Sequence, residues 1–323
     1  MNTNETIIDL KELVTSLIDP QINSNFAEKI INEIHEYFSE VTQVSGEGSD
    51  INELYSVSAN TGMALSINHA AQCLLDYKRT IKFLSAFVQA IKDKQEQFPG
   101  EVIRVFYAGC GPYATFVTLI APLFSADEIQ FSVLEINKDS LCQAEKLIEN
   151  LELTKYINAF YLADATTFKI SQPETFHILF SETLDALLYR ECYVPILWNL
   201  LPQLPNEITV MPENVSVNLY FKEGGKETFS TSIFDSRKAI KNNFDDLPEQ
   251  FESVIVDLTN CSKYDRILLE TDVKIYKDIK LERNESSLTL NLEMEIEKPM
   301  TYKSVEFTYH TKPQIELKLK MLD

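Results

Sequence analysis

Five short apolar runs, separated by segments with helical spacing, occupy positions 102–212 and constrain this chain more than any other feature. They are "VIRVFYA" (102–108), "IQFSVLEI" (129–136), "INAFYLAD" (157–164), "FHILFSE" (176–182) and "ITVMP" (208–212). Runs this short and this uniformly apolar suit strands buried on both faces, as in a parallel sheet whose connections must be crossover helices. The segments 113–124, 138–151 and 184–201 read as those helices. The expected core is an α/β, doubly wound, Rossmann-like sheet with crossovers of one hand.

The flanks read differently. Ile7, Leu10, Leu13 and Leu17, then Ile30, Ile31 and Ile34, recur at helical spacing up to about residue 43, where "SGEGSD" (45–50) breaks the pattern. A second helical region runs from Ile67 to Lys94 and closes at "FPGE" (98–101). Beyond Pro212, "LTLNLEMEIE" (288–297) and "IELKLKM" (315–321) alternate apolar and polar residues, the signature of antiparallel strands with one wet face. Three parts are expected: a helical N-terminal region and lid (1–98), the Rossmann-like domain (99–212), and an antiparallel, β-rich, barrel-like domain (213–323).

Composition narrows the function. The 323 residues include 29 Lys and Arg against 49 Asp and Glu, a formal charge of −20. Such a surface attracts cations and disfavours nucleic acid, whose binding rests on neutralised phosphates. The acidity would also serve solubility alone. Five scattered cysteines without a CxxC pair argue against a disulfide framework or a zinc site. His35, His69 and His177 have no Cys or carboxylate at metal-ligand spacing. No apolar run reaches the ~18 residues of a membrane span, and the expected location is cytoplasmic.

The chemistry-bearing residues fall at strand ends. "VIRVFYA" runs directly into "GCGPYAT", placing Gly109, Cys110 and Gly111 where a strand hands over to a helix and backbone amides are free. The next run ends in Glu135, 24 positions after Gly111, where an acid binds ribose hydroxyls in nucleotide-binding sheets. The third ends in Asp164 and Ala165. A dinucleotide-binding dehydrogenase is the competing reading, but the third glycine of GxGxxG would fall at Ala114 and the loop carries Pro112.

This constellation resembles the class I S-adenosyl-L-methionine-dependent methyltransferases. The resemblance implies that the glycine turn meets the methionine part of the cofactor, Glu135 the ribose and Asp164 the adenine. Many members carry an acid where this chain has Tyr107. "FSETLDALLYRE" (180–191) further resembles the double-glutamate loop of the protein arginine methyltransferases, with Glu182 and Glu191 nine positions apart. "LLDYKRT" (74–80) is similar to the family's DxxRT segment, which implies that Arg79 pairs with the cofactor carboxylate. "ITVMPENVSVNLYF" (208–221) is similar to the hinge from which the family's β-barrel begins.

The resemblance implies a catalytic role for the two glutamates. A planar guanidinium held by two carboxylates has one nitrogen aimed at the methyl group and is polarised toward it. Against this stands a simpler reading: Glu182 caps a helix starting near Thr183, and Glu191 pairs with Arg190 or Lys78 at the surface. Where the family has Met-Gly, this loop has Leu184-Asp185, a third carboxylate that would favour a smaller or more basic acceptor.

His310, in "TYHTKPQ" (308–314), is similar to the family's barrel histidine that faces the glutamates, though without the accompanying tryptophan, or is a structural histidine of the β-rich part. Tyr55 matches a tyrosine of the family's N-terminal lid, or is a packing residue. Cys110 reads as a small filler of the glycine turn. The stretch 222–250 is too short for a family-type dimerisation arm, so homodimerisation by that route is not expected. The methyl acceptor would be an arginine or small amine of a peptide, protein or metabolite. The alternatives are a small-molecule O- or N-methyltransferase of specialised metabolism and a non-catalytic cofactor-binding scaffold.

Overall fold

The computed structural model of the chain describes residues 9–47, 56–241, 246–298 and 301–323. Ile7 and Tyr55 lie outside the described residues. The N-terminal part holds α1 (Leu10–Leu17) and α2 (Ser24–Thr42), then a two-strand hairpin, β1 (Val57–Ser58) and β2 (Met63–Ala64). The expected helical region from Ile67 is two helices, α3 (Ile67–Gln72) and α4 (Tyr77–Gln97), parted by a 3₁₀ turn at Cys73–Leu75. Arg79 sits in the first turn of α4.

All five apolar runs of the central region are strands: β3 (Ile103–Ala108), β4 (Ile129–Glu135), β5 (Ile157–Leu162), β6 (Ile178–Ser181) and β7 (Thr209–Met211). They form one parallel sheet in the order β5-β4-β3-β6-β7, with β3 at its centre. The chain leaves β3 first on one side and later on the other, which makes the carboxyl ends of β3, β4 and β6 the crevice where such sheets take ligands. Successive side chains of a strand point to opposite faces. Tyr107 and Phe180 therefore meet Phe83, Phe87 and Phe116, with Phe87 stacked on Phe180 at 4.7 Å. Phe106 meets Phe168 and Phe176 on the other face.

Two of the three expected crossover helices are shorter than the sequence pattern. The segment 113–124 is helical only as α5 (Thr115–Thr118), followed by a 3₁₀ turn at Ala121–Leu123. Pro122 has no N–H to continue the ladder, and the Thr118 hydroxyl bonds the carbonyls of Tyr113 and Thr115 instead. α6 (Lys138–Asn150) agrees with expectation. The segment 184–201 is a loop with one 3₁₀ turn (Ala186–Leu188) until α7 (Tyr193–Leu200). Leu187, Leu188 and Arg190 have φ of 57°, 56° and 64°, incompatible with a right-handed helix, and a helix reaching back to Glu191 would set its carbonyl against the Pro195 ring.

Beyond Pro212 the strands are antiparallel. β8 (Asn214–Glu223), β9 (Lys226–Asp235), β11 (Arg266–Tyr276), β12 (Ile279–Leu281) and β13 (Leu292–Glu295) form one sheet, with α8 (Ser236–Lys241) after β9. β10 (Val254–Asp257), β14 (Ser304–His310) and β15 (Glu316–Leu322) form another. Among the described residues no ladder joins the two sheets into a closed barrel. The alternating run 288–297 is a strand only at β13, because Ser287–Thr289 turns as a 3₁₀ helix. That turn faces α4: Asp76 Oδ2 accepts from Ser286 Oγ, Ser287 N and Ser287 Oγ at 2.7–2.9 Å. Asp93, on the same helix, accepts from Tyr276 at 2.6 Å.

Candidate active site

A cleft, part of it open to solvent, lies over the carboxyl edge of the parallel sheet. Arg79, Gly109, Cys110, Gly111, Glu135, Asp164, Ala165, Glu182 and Glu191 all line it. The reason is topological. Parallel strands end on one edge, so the residues after β3, β4, β5 and β6 converge, and α4 brings Arg79 to them from below.

The glycine turn is built for close approach. Gly109 has φ +77°, and a Cβ there would lie 2.4 Å from Cγ2 of Thr183. Its N–H donates to Leu134 O at 2.8 Å. Gly111 N donates to Glu135 Oε2 at 2.9 Å, while Ile136 N and Asn137 N donate to Oε1 at 2.8 and 2.9 Å. Burial raises the pKa of Glu135, and these three amides work in the opposite direction. The carboxylate thus ties turn to strand and keeps lone pairs for a hydroxyl donor. Tyr107, in place of an acid, is buried, with its hydroxyl 3.5 Å from Cys110 O.

Asp164 Oδ1 accepts from Thr166 N and Oγ1 at 2.8 and 2.7 Å, and Oδ2 accepts from Asn60 N at 2.6 Å. The β1–β2 hairpin is thereby pinned across the cleft. On its other side Met63 N donates to Arg190 O at 3.2 Å, and a Cβ on Gly62 would lie 2.5 Å from Ile315 Cδ1. Sequence reasoning missed this hairpin, although "ANTG" (59–62) carries a turn signal.

Arg79 and Glu182 form a buried ion pair, with side chains 7% and 8% exposed. Both Glu182 oxygens contact Nη2 of Arg79. Desolvation raises the Glu182 pKa and Arg79 lowers it again, with the balance on the raised side. No helix starts at Thr183, so Glu182 is not a cap. Glu191 N donates to Tyr189 O at 2.7 Å, while its carboxylate makes no hydrogen bond or ion pair to any described residue and lines the cleft. Desolvation pushes its pKa up to about 8, against the pull of Arg79 and with Glu182 and Asp185 adding to the rise. Arg190 does not pair with it but lies over the Tyr189 ring at 4.6 Å.

The left-handed loop between the glutamates is held by the β-rich part. Thr271 Oγ1 accepts from Leu187 N at 2.7 Å, Tyr309 OH donates to Leu188 O at 3.1 Å, and Arg190 N donates to Ile315 O at 2.9 Å. Asp185 Oδ1 accepts from Ala186 N at 2.7 Å. None of these supports was evident in the sequence. His310 is not among the residues lining the cleft; its strand reaches the loop through Tyr309 instead. Burial lifts the thiols of Cys73 to about 11 and Cys192 to about 12, and that of Cys110 well above its usual value, so all three stay protonated at neutral pH.

A solved structure shares this fold. Protein arginine methyltransferase 10 of Arabidopsis thaliana superposes with a TM-score of 0.52 at 11% identity, covering 79% of this chain and 97% of that one. The chain has the fold of a protein arginine methyltransferase. A Trypanosoma brucei protein arginine methyltransferase 1 enzyme–prozyme complex with AdoHcy gives a TM-score of 0.48 at 11% identity, over 78% of this chain and 96% of that one. No family model matches the sequence, and neither does any curated protein.

Proposed function

We propose that the protein is an S-adenosyl-L-methionine-dependent methyltransferase acting on the nitrogen of a guanidine or amine. The observation that carries this reading is the convergence, in one cleft, of a glycine turn, two strand-end acids, a buried arginine and two loop glutamates. The residues fit the cofactor. Glycine at 109 and 111 leaves backbone exposed to a ligand, Glu135 and Asp164 retain acceptor capacity for hydroxyl and amino donors, and Leu134, Ile136 and Ile196 offer apolar walls. Arg79 keeps donors beyond Nη2 for a carboxylate.

When bound, the cofactor supplies an electrophilic methyl group on a sulfonium. The chain's own part is to place a nitrogen in line with it, and such positioning accounts for much of the acceleration in displacement reactions. The hairpin 57–64 and the loop 182–191 flank the cleft on two sides. Glu191 is placed to attract a cation and to hold a proton.

Calorimetry with S-adenosylhomocysteine, followed by radiolabelled methyl transfer to arginine- and lysine-containing peptides and to small amines, tests the reading. Binding together with transfer to nitrogen is the expected result. Transfer to phenols or carboxylates alone would favour a small-molecule O-methyltransferase, and binding without any turnover a scaffold.

A further inference from the structure

Glu182 and Glu191 are not equivalent in this cleft. The charge of Glu182 is already matched by Arg79, a guanidinium of the chain itself. Glu191 has no such partner among the described residues. A cation entering the cleft therefore meets one uncompensated carboxylate. The titratable groups around Glu191 are Arg79, Glu182, Asp185, Cys73 and Cys192, and only Arg79 is positive.

Resting on the methyltransferase reading above, we propose that the two glutamates divide the work. Glu182 is a positioning residue that holds Arg79 at the cofactor end of the cleft; Glu191 alone binds the acceptor nitrogen and takes its proton, so the acceptor is an alkylamine rather than a guanidine.

The proton distinguishes the two acceptor classes. An ammonium has no lone pair and must lose a proton before it can attack. A guanidinium, with a pKa above about 12, is too weak an acid for a carboxylate to deprotonate, and two uncommitted carboxylates would be needed to polarise it. Burial lifts Glu191 toward the alkylammonium range, the direction in which a general base for an ammonium must be shifted. An entering ammonium favours the ionised carboxylate. A Glu191 oxygen then takes one N–H proton, and the freed lone pair forms the new N–C bond to the sulfonium methyl. The C–S bond breaks with its electron pair on sulfur, leaving a thioether and a methylated ammonium.

The test reads cofactor binding and acceptor choice separately. Calorimetry with S-adenosylhomocysteine should show Glu182→Gln weakened by about ten-fold or more, the usual consequence of releasing a charge-assisted partner, and Glu191→Gln within about two-fold of wild type. Because Glu182→Gln leaves a buried arginine unpaired, the double variant Arg79→Met/Glu182→Leu, which carries no buried charge, is measured beside it and should also lose affinity. Acceptors are the matched pair butylamine and butylguanidine. Wild type should methylate the amine, and Glu191→Gln should not; if neither compound turns over, saturation-transfer NMR ranks them by binding. Unchanged affinity in both Glu182 variants, or preference for the guanidine, overturns this inference alone. Failure of wild type to bind S-adenosylhomocysteine overturns the methyltransferase reading and this inference with it.

Discussion

The phenol of Tyr309 donates a hydrogen bond to the carbonyl of Leu188 at 3.1 Å, across 121 positions of sequence. It anchors a residue whose φ is 56°, inside a loop with three non-glycine residues in the left-handed region. Each such residue costs about 1–2 kcal/mol, so the loop between Glu182 and Glu191 keeps its shape only while the β-rich part holds it. Tyr309→Phe preserves the stacking on Phe234 but leaves the Leu188 carbonyl buried and unpaired. The expected cost is about 1–3 kcal/mol, read as a lower urea midpoint with unchanged slope. Affinity for S-adenosylhomocysteine should be unaffected while turnover falls. Equal loss of cofactor binding would show that the contact serves the whole cleft.

Gly109→Ala places a methyl where Thr183 already sits, 2.4 Å away, at a φ of +77° that an L residue adopts at a cost of about 1–2 kcal/mol. The variant should unfold at lower temperature and bind S-adenosylhomocysteine more weakly. Adding Thr183→Ser removes the clashing Cγ2 and should restore part of the loss, leaving the backbone strain. Full recovery in the double variant would mean that the left-handed conformation carries no cost.

Asp76 connects the start of α4, beside the cleft, to the antiparallel sheet. Its Oδ2 accepts three hydrogen bonds from Ser286 and Ser287, and it lies three residues before Arg79 at the start of α4. Hydrogen bonds to a charged group are worth about 1.5–3 kcal/mol each at most. Asp76→Ala should therefore lower the melting temperature and weaken S-adenosylhomocysteine binding together, through movement of Arg79. A fall in melting temperature with wild-type binding would confine the contact to stability.

The strand-end residues were legible because a parallel sheet brings every strand's carboxyl end to one edge, so chain order alone gathers Gly109, Glu135, Asp164 and Glu182. The pattern failed where distant contacts override local preference. Residues 184–192 have a helix-like spacing of apolar side chains, yet Thr271, Tyr309 and Ile315 hold them in a left-handed loop. Leu288 and Leu290 alternate like a strand, but the chain bends into a 3₁₀ turn to meet Asp76. The pairing of Arg79 with Glu182 joins residues 103 positions apart that the family resemblance assigns to different ligands. Charge complementarity in a buried space decided it, and spacing along the chain carries no trace of that.

Glu191 gives stability a specific pH dependence. Its pKa in the folded protein is about 8, against 4.5 for the ordinary carboxyl, because burial disfavours the ionised form. Below about 4.5 the group is protonated in both states and contributes nothing unfavourable. As pH rises from there, the unfolded chain binds fewer protons than the folded one, so stability falls through the window up to pH 8 and the full penalty persists above it. Glu191→Gln removes this titration. The melting temperatures of variant and wild type should be close at pH 5 and diverge upward, with the variant the more stable at pH 9. A saturating alkylamine that pairs with the ionised carboxylate should narrow that gap. Parallel melting curves across pH 5–9 would mean that Glu191 ionises as freely in the cleft as in water, and would remove its standing as a proton acceptor.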